Sequence, residues 1–122
     1  MRNYMLILGG ADLDKRSANP EIAPVMLERY LAWIQELRER GQYVSSHKLE
    51  DRTGQRLTCR GGTVVDGPFV ETKEVVGGIF IVEADSLEEA TEIARACPNL
   101  DVQNGYVEVR PIEVIRPDAG SQ

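Results

Sequence analysis

The chain has 122 residues and a mass of 13.6 kDa, which is the size of one domain. It carries 14 Lys and Arg against 20 Asp and Glu. The resulting net charge of -6 argues against nucleic acid or an anionic membrane as the main partner, because both attract basic surfaces. One His and two Cys are too few ligands for a zinc site, and no apolar run approaches the ~20 residues of a membrane span. We expect a soluble cytoplasmic domain over residues 1–116, followed by a polar tail at 117–122, with no metal or other cofactor.

The first half of the sequence predicts a strand, a helix and a second strand. Residues 3–8 are apolar in both phases of their alternation, which is typical of a buried strand. Asn19 and Pro20 are predicted to open a helix that runs to about residue 40, because proline is accepted at the first helical position and apolar residues then recur every three or four positions. Residues 42–49 are predicted to be extended.

Two glycines in the middle of the chain predict a β-hairpin. Residues 56–60 and 63–66 flank Gly61 and Gly62, and glycine accepts the positive φ values of a two-residue primed turn. This loop length places Cys59 opposite Val64, so Cys59 is interpreted as a strand residue rather than a nucleophile.

The second half of the sequence predicts strand, helix and strand again. Residues 79–82 are apolar in both phases. Ser86 and Glu89 match a capping box at the start of a helix that Pro98 ends. The last strand, residues 106–115, changes its apolar phase at Pro111, which we interpret as a bulge or a crossing between two sheets. Tyr106 is interpreted as a sheet residue whose hydroxyl could reach a cleft.

This order of elements predicts an α+β fold of the ferredoxin-like type, an antiparallel sheet with two helices on one face and an inserted β-hairpin. The helices cover one face only, whereas strands 3–8 and 79–82 are apolar on both. Each large apolar side chain left in water forgoes roughly 1.5–3 kcal/mol. We therefore expect a homodimer, a dimeric α+β barrel in which a second copy covers the open face. The alternative is that the hairpin folds over that face within one chain.

Two polar side chains are candidates for chemistry. His47 is the single histidine, and its side chain titrates near neutral pH, so it either lines a cleft or is an ordinary surface residue. Asp66 ends a strand beside a Gly-Pro turn that could hold a carboxylate as acid, base or orienting group. The structural alternative is an Asp that hydrogen-bonds its own turn.

The segment around Asp66 carries a family resemblance. It reads Asp66-Gly67-Pro68-Phe69, then Glu71-Thr72-Lys73-Glu74 and Gly77-Gly78. This segment, with the helix that follows, resembles the DGPF group of YciI-like (YCII-related) proteins, and the similarity covers nearly the whole chain. The resemblance implies a ferredoxin-like fold that pairs into dimeric α+β barrels. It also implies a neighbouring extracytoplasmic-function sigma factor as a candidate partner.

The resemblance leaves two functions open. A His–Asp pair is the proposed active site of YciI-like proteins, and wider relatives carry out lyase or isomerase chemistry. Asp66 matches the family aspartate, but the family histidine lies in the first helix, and residues 21–40 contain none. We therefore favour a small-ligand-binding or accessory module. The alternative is a cofactor-free enzyme that uses Asp66 with His47, its substrate bound by Gly67, Pro68, Phe69 and Lys73.

Overall fold

The computed structural model describes residues 1–10, 20–50, 53–67 and 75–115. In chain order the elements are β1 (Arg2–Gly10), α1 (Ala23–Glu39), β2 (Tyr43–Lys48), β3 (Arg56–Arg60), β4 (Thr63–Gly67), β5 (Val75–Ala84), α2 (Leu87–Arg95), a single 3-10 turn (Pro98–Asp101) and β6 (Gly105–Pro111). Neither helix of this described part is long and apolar enough to cross a membrane.

Four of the strands form one antiparallel sheet in the order β2-β5-β1-β6. The two central strands, β1 and β5, are the two whose sequences are apolar in both phases. Each half of the chain contributes a strand, a helix and a strand, and the two halves interleave in one sheet. This arrangement is consistent with the predicted ferredoxin-like α+β fold.

The core lies between the sheet and both helices. On β1 and β5 the buried side chains alternate along the strand and are Tyr4, Leu6, Leu8, Phe80, Val82 and Ala84. The same cluster contains Trp33 and Leu37 of α1 with Ala90, Ile93 and Ala94 of α2. The ring centroids of Trp33 and Phe80 lie 4.8 Å apart. Because residues of both helices share one cluster with these alternate strand positions, both helices cover the same face of the sheet.

The first helix begins later than predicted. The structure has Ile22 as the N-cap of α1 and Ala23 as its first residue, with Pro24 in the first turn. Pro20 lies in a turn before the helix, and Asn19 lies outside the described residues. The first helical turn accepts proline at either place, because its N–H groups have no intrahelical partner. The second helix begins as predicted, with the hydroxyl of its N-cap serine accepting a hydrogen bond from Glu89 N at 3.1 Å.

The predicted hairpin is confirmed, and it forms a two-stranded sheet of its own, β3 with β4. Gly61 and Gly62 have φ values of 57° and 81°, as a primed turn requires. Cys59 lies opposite Val64, as predicted. Residues 56–66 are all exposed. A hairpin that covered the sheet would bury one of its own faces, so the alternative in which these residues cover the open face is wrong.

The last strand is shorter than predicted. It ends at Pro111, and residues 112–115 form no strand. Beyond it, the amide of Ile112 donates to Asn3 O at 3.1 Å, which is the last backbone hydrogen bond at this edge among the described residues. Proline has no N–H to continue a ladder. The change of apolar phase at Pro111 therefore marks the end of the strand, and the predicted bulge or crossing is wrong.

Candidate functional site

The sheet face opposite the helices, here called the open face, has an apolar centre. It consists of Met5 and Ile7 on β1 with Ile79 and Ile81 on β5, and all four side chains are half-buried. The strand register pairs Met5 with Ile81 and Ile7 with Ile79. The four side chains therefore form one patch across the two central strands, which we call the apolar patch.

Polar side chains border the apolar patch on both edge strands. On β2, Ser45 and His47 lie opposite the two isoleucines of β5. On β6, Glu108 and Arg110 lie opposite the two apolar residues of β1, and Arg110 Nη1 donates to Glu108 Oε2 at 3.3 Å. An apolar centre with a polar rim is the usual anatomy of a protein interface.

One end of the sheet is formed largely by glycine, and we call it the glycine end. β1 ends there at Gly10, which pairs with Val75 at the start of β5 and with Gly105 at the start of β6. β2 also ends there, at Lys48, opposite Gly78. Four strands thus begin or end together at this point, and the loops between them meet there.

Tyr106 lies across the end of β1 at the glycine end. It pairs with Gly9, and a Cβ built on Gly9 would lie 2.7 Å from Tyr106 Cε2 and nearer still to Cζ and the hydroxyl oxygen. No side chain fits in that space. Because Gly9 has only hydrogen there, the Tyr106 ring occupies the position of the missing side chain, with its hydroxyl beside the β1 backbone.

A buried amide holds the same two residues. Asn99 is 1% exposed, and its Nδ2 donates to Gly9 O at 3.0 Å and to Tyr106 O at 2.8 Å. Asn99 lies in the 3-10 turn between α2 and β6. A buried amide left without partners costs about 1–3 kcal/mol, so these two hydrogen bonds favour this single alignment of β1 with β6.

His47 is exposed and lies near the glycine end of β2. It pairs with Ile79, which pairs in turn with Ile7. Gly9 follows Ile7 by two residues on β1, so the open-face positions of His47 and Gly9 are two strands and two residues apart. With strands ~4.8 Å apart and ~3.4 Å per residue, their Cα atoms are about 12 Å apart.

Asp66 lies on a different sheet from His47. It is an exposed residue of β4, opposite Leu57 on β3. The structure shows no hydrogen bond or ion pair between Asp66 and His47, and neither side chain has one with another described residue. The two predicted catalytic groups are therefore not joined by a direct contact in the described part of the chain.

A model of the YCII-related domain matches residues 12–116 of this sequence. The chain belongs to the YCII-related family. It is also similar to an uncharacterised protein of Rhizobium meliloti (strain 1021), with 43% identity over 54 residues. That match covers 44% of this chain and 44% of the relative, so it spans less than half of the relative's length.

The DGPF segment of this YCII-related chain joins the hairpin to the glycine end. Gly67, the last residue of β4, pairs with Arg56. Pro68, Phe69 and Lys73, the other predicted substrate-binding residues, lie outside the described residues. Residues 68–74 lead from Gly67 to the first residue of β5, which pairs with the last residue of β1. The segment thus enters the sheet at the same end as Tyr106.

Asn99 and the placement of Tyr106 are the features that sequence reasoning missed in this YCII-related chain. Tyr106 was expected to be an ordinary sheet residue, and Asn99 was expected to lie in a connection. The signal in the sequence is a glycine pair at 9–10 and a second glycine before Tyr106. It could be interpreted only once β1 was known to pair with β6, because the two segments are far apart in sequence.

Neither cysteine of this YCII-related chain points to a reactive centre. Cys97 is 1% exposed, and burial raises the pKa of its thiol to about 11, so the thiol is protonated and unreactive at neutral pH. Cys59 is exposed on the hairpin. Within the described ranges, no group of three or more His, Cys, Asp or Glu is placed to hold a metal ion.

Proposed function

We propose that this YCII-related chain acts as a homodimeric, small-ligand-binding accessory module. Two copies pair open face to open face as a dimeric α+β barrel, and the ligand binds at the glycine end. The observation that carries the proposal is the apolar patch with its polar rim, which neither the helices nor the described hairpin residues cover.

A second copy of the chain is the partner that suits the open face. Fully burying a large apolar side chain contributes roughly 1.5–3 kcal/mol, and the four patch side chains are only half-buried in one copy. In a two-fold dimer both copies use the same surface, so one apolar patch meets another. The polar side chains of β2 and β6 then lie at the rim, where water still reaches them.

The glycine end supports a ligand cleft beside that interface. Ile7 and Ile79 form an apolar floor there, with His47 at the β2 edge of the same face. Small-molecule sites are mostly apolar with a few polar groups that fix orientation. An acidic chain of net charge -6 also suits a basic protein partner, and the DGPF resemblance makes a sigma factor of the extracytoplasmic-function type the candidate.

One observation favours the alternative, a cofactor-free enzyme of the lyase or isomerase type. The segment that follows Asp66 enters the sheet at Val75, opposite Gly10, at the same end as His47. A carboxylate and an imidazole that both reach one bound substrate can transfer a proton between two of its atoms. In this alternative Asp66 acts as acid or base and His47 is the second group.

The dimer is tested by one charge placed in the apolar patch. Light scattering of the wild-type chain should give about twice 13.6 kDa. Ile81→Asp should give the mass of one copy, because an unpaired charge cannot be buried cheaply against a second sheet. The matched control is Leu31→Asp, at an α1 position that is 57% exposed, and it should keep the dimer mass. A monomeric wild type, or a folded Ile81→Asp dimer, would contradict the proposal.

A further inference from the structure

We infer that Tyr106 is a ligand-contact residue of the glycine end. In this inference its hydroxyl and the imidazole of His47 bind opposite ends of one small molecule that has an apolar middle and an oxygen atom at each end. The inference rests on the small-ligand role proposed above, and it adds a contact residue and a ligand class to that role.

The placement of Tyr106 is the first argument. A tyrosine that only packed on the sheet would contact a side chain of the neighbouring strand. Here β1 has no side chain at Gly9, and the ring and hydroxyl fill that space instead. The buried Asn99 amide then fixes the carbonyl groups of both residues. Three residues thus hold one phenol in a defined position on the face that the helices leave open.

The chemistry between Tyr106 and His47 is the second argument. The floor between them is formed by Ile7 and Ile79, which favours an apolar ligand body. A phenol and an imidazole can each donate a hydrogen bond to an oxygen atom. Across a Cα separation of about 12 Å between His47 and Gly9, one aromatic ring with oxygens at opposite ends fits when a hydrogen bond of about 2.8 Å is added at each end.

The probe for this inference is 4-hydroxybenzoate, and the reporter is the imidazole NMR signal of His47, the single histidine. In wild type, the signal should shift saturably as the probe is added. Tyr106→Phe keeps the ring and removes only the hydroxyl, so the probe should bind about tenfold more weakly, the effect of one lost hydrogen bond. Benzoate and phenol each keep one terminal oxygen. Both should bind wild type more weakly than the probe, and for one of them Tyr106→Phe should have no further effect.

Two further variants separate ligand contact from a structural role. Tyr43→Phe removes a hydroxyl from the helix side of the same sheet, where it is hydrogen-bonded to Ser46 Oγ at 2.7 Å, and probe affinity should stay within about twofold of wild type. Gly9→Ala places a methyl group where the Tyr106 ring lies, and it should weaken probe binding as Tyr106→Phe does while circular dichroism remains native.

Each outcome decides the inference. Wild-type affinity in Tyr106→Phe or in folded Gly9→Ala would overturn it and leave the proposed ligand-binding role in place. The same holds if 4-hydroxybenzoate fails to shift the His47 signal at a concentration of several times about 1 mM while other small ligands still raise the melting temperature of wild type. If no small ligand stabilises wild type, the ligand-binding role and this inference both fail.

Discussion

The carboxylate of Asp66 and the imidazole of His47 belong to two different sheets, so a shared site would have to form around segment 68–74. Sequence reasoning could select these residues because their chemistry is visible in the side chains. It could not place them relative to each other, because strand pairing between distant segments decides which residues face the same space. Tyr106 shows the same limit, since its position depends on Gly9 and Asn99, and both lie far from it in space until the sheet forms.

Asp66→Asn tests whether this residue serves a ligand or only its own turn. Asparagine keeps an acceptor oxygen, so we expect the free energy of unfolding to change by about 1 kcal/mol or less. The rise in melting temperature that a panel of small aromatic and carboxylic ligands gives wild type should disappear in the variant. His47→Gln should abolish the same response. A variant that melts far below wild type, with no ligand response in either protein, would assign Asp66 a purely structural role.

At the scale of elements, the sequence predicted the strands and helices better than their ends. The apolar phases of β1 and β5 and the capping box of α2 are local signals, and the structure has all three elements. The start of α1 was misplaced because Pro20 and Pro24 both satisfy the rule for a first helical turn. The end of β6 was misplaced because the phase change at Pro111 was interpreted as continued pairing.

The hairpin should behave as a unit that unfolds apart from the sheet. Gly61→Val forces a β-branched residue into the positive φ of 57°, which costs about 1–2 kcal/mol. Hydrogen exchange should therefore become faster in β3 and β4 and stay unchanged in β1 and β5, because the hairpin shares no ladder with them. Gly61→Asn is the control, since asparagine tolerates this conformation better. Equal acceleration in all four strands would show that the hairpin and the sheet unfold together.

The whole molecule has two unlike sides, one sealed by helices and one with the apolar patch. If the folded state is the homodimer proposed above, unfolding is coupled to dissociation. The consequence is that stability depends on how much protein is present. A monomer in which some other part of the chain covered the patch would lack this dependence.

The melting temperature should therefore rise with protein concentration for wild type. Leu31→Asp should show the same dependence, because its position lies on α1, away from the patch. Ile81→Asp should melt at one temperature whatever its concentration, since it has no partner to lose. Scanning calorimetry over a hundredfold dilution series measures this directly. A wild-type melting temperature that does not move on dilution would argue for a monomer.

The strand order has a consequence for synthesis on the ribosome. β1 is made first, yet its two neighbours in the sheet are β5 and β6, which come from the second half of the chain. Gly10 pairs with Gly105, so this ladder cannot form until nearly all described residues have left the exit tunnel. Contacts between such distant residues form late, and until then an apolar strand has both edges unpaired. The nascent chain therefore depends on chaperones for most of its translation, and a fragment that stops before β6 should be captured by them rather than fold.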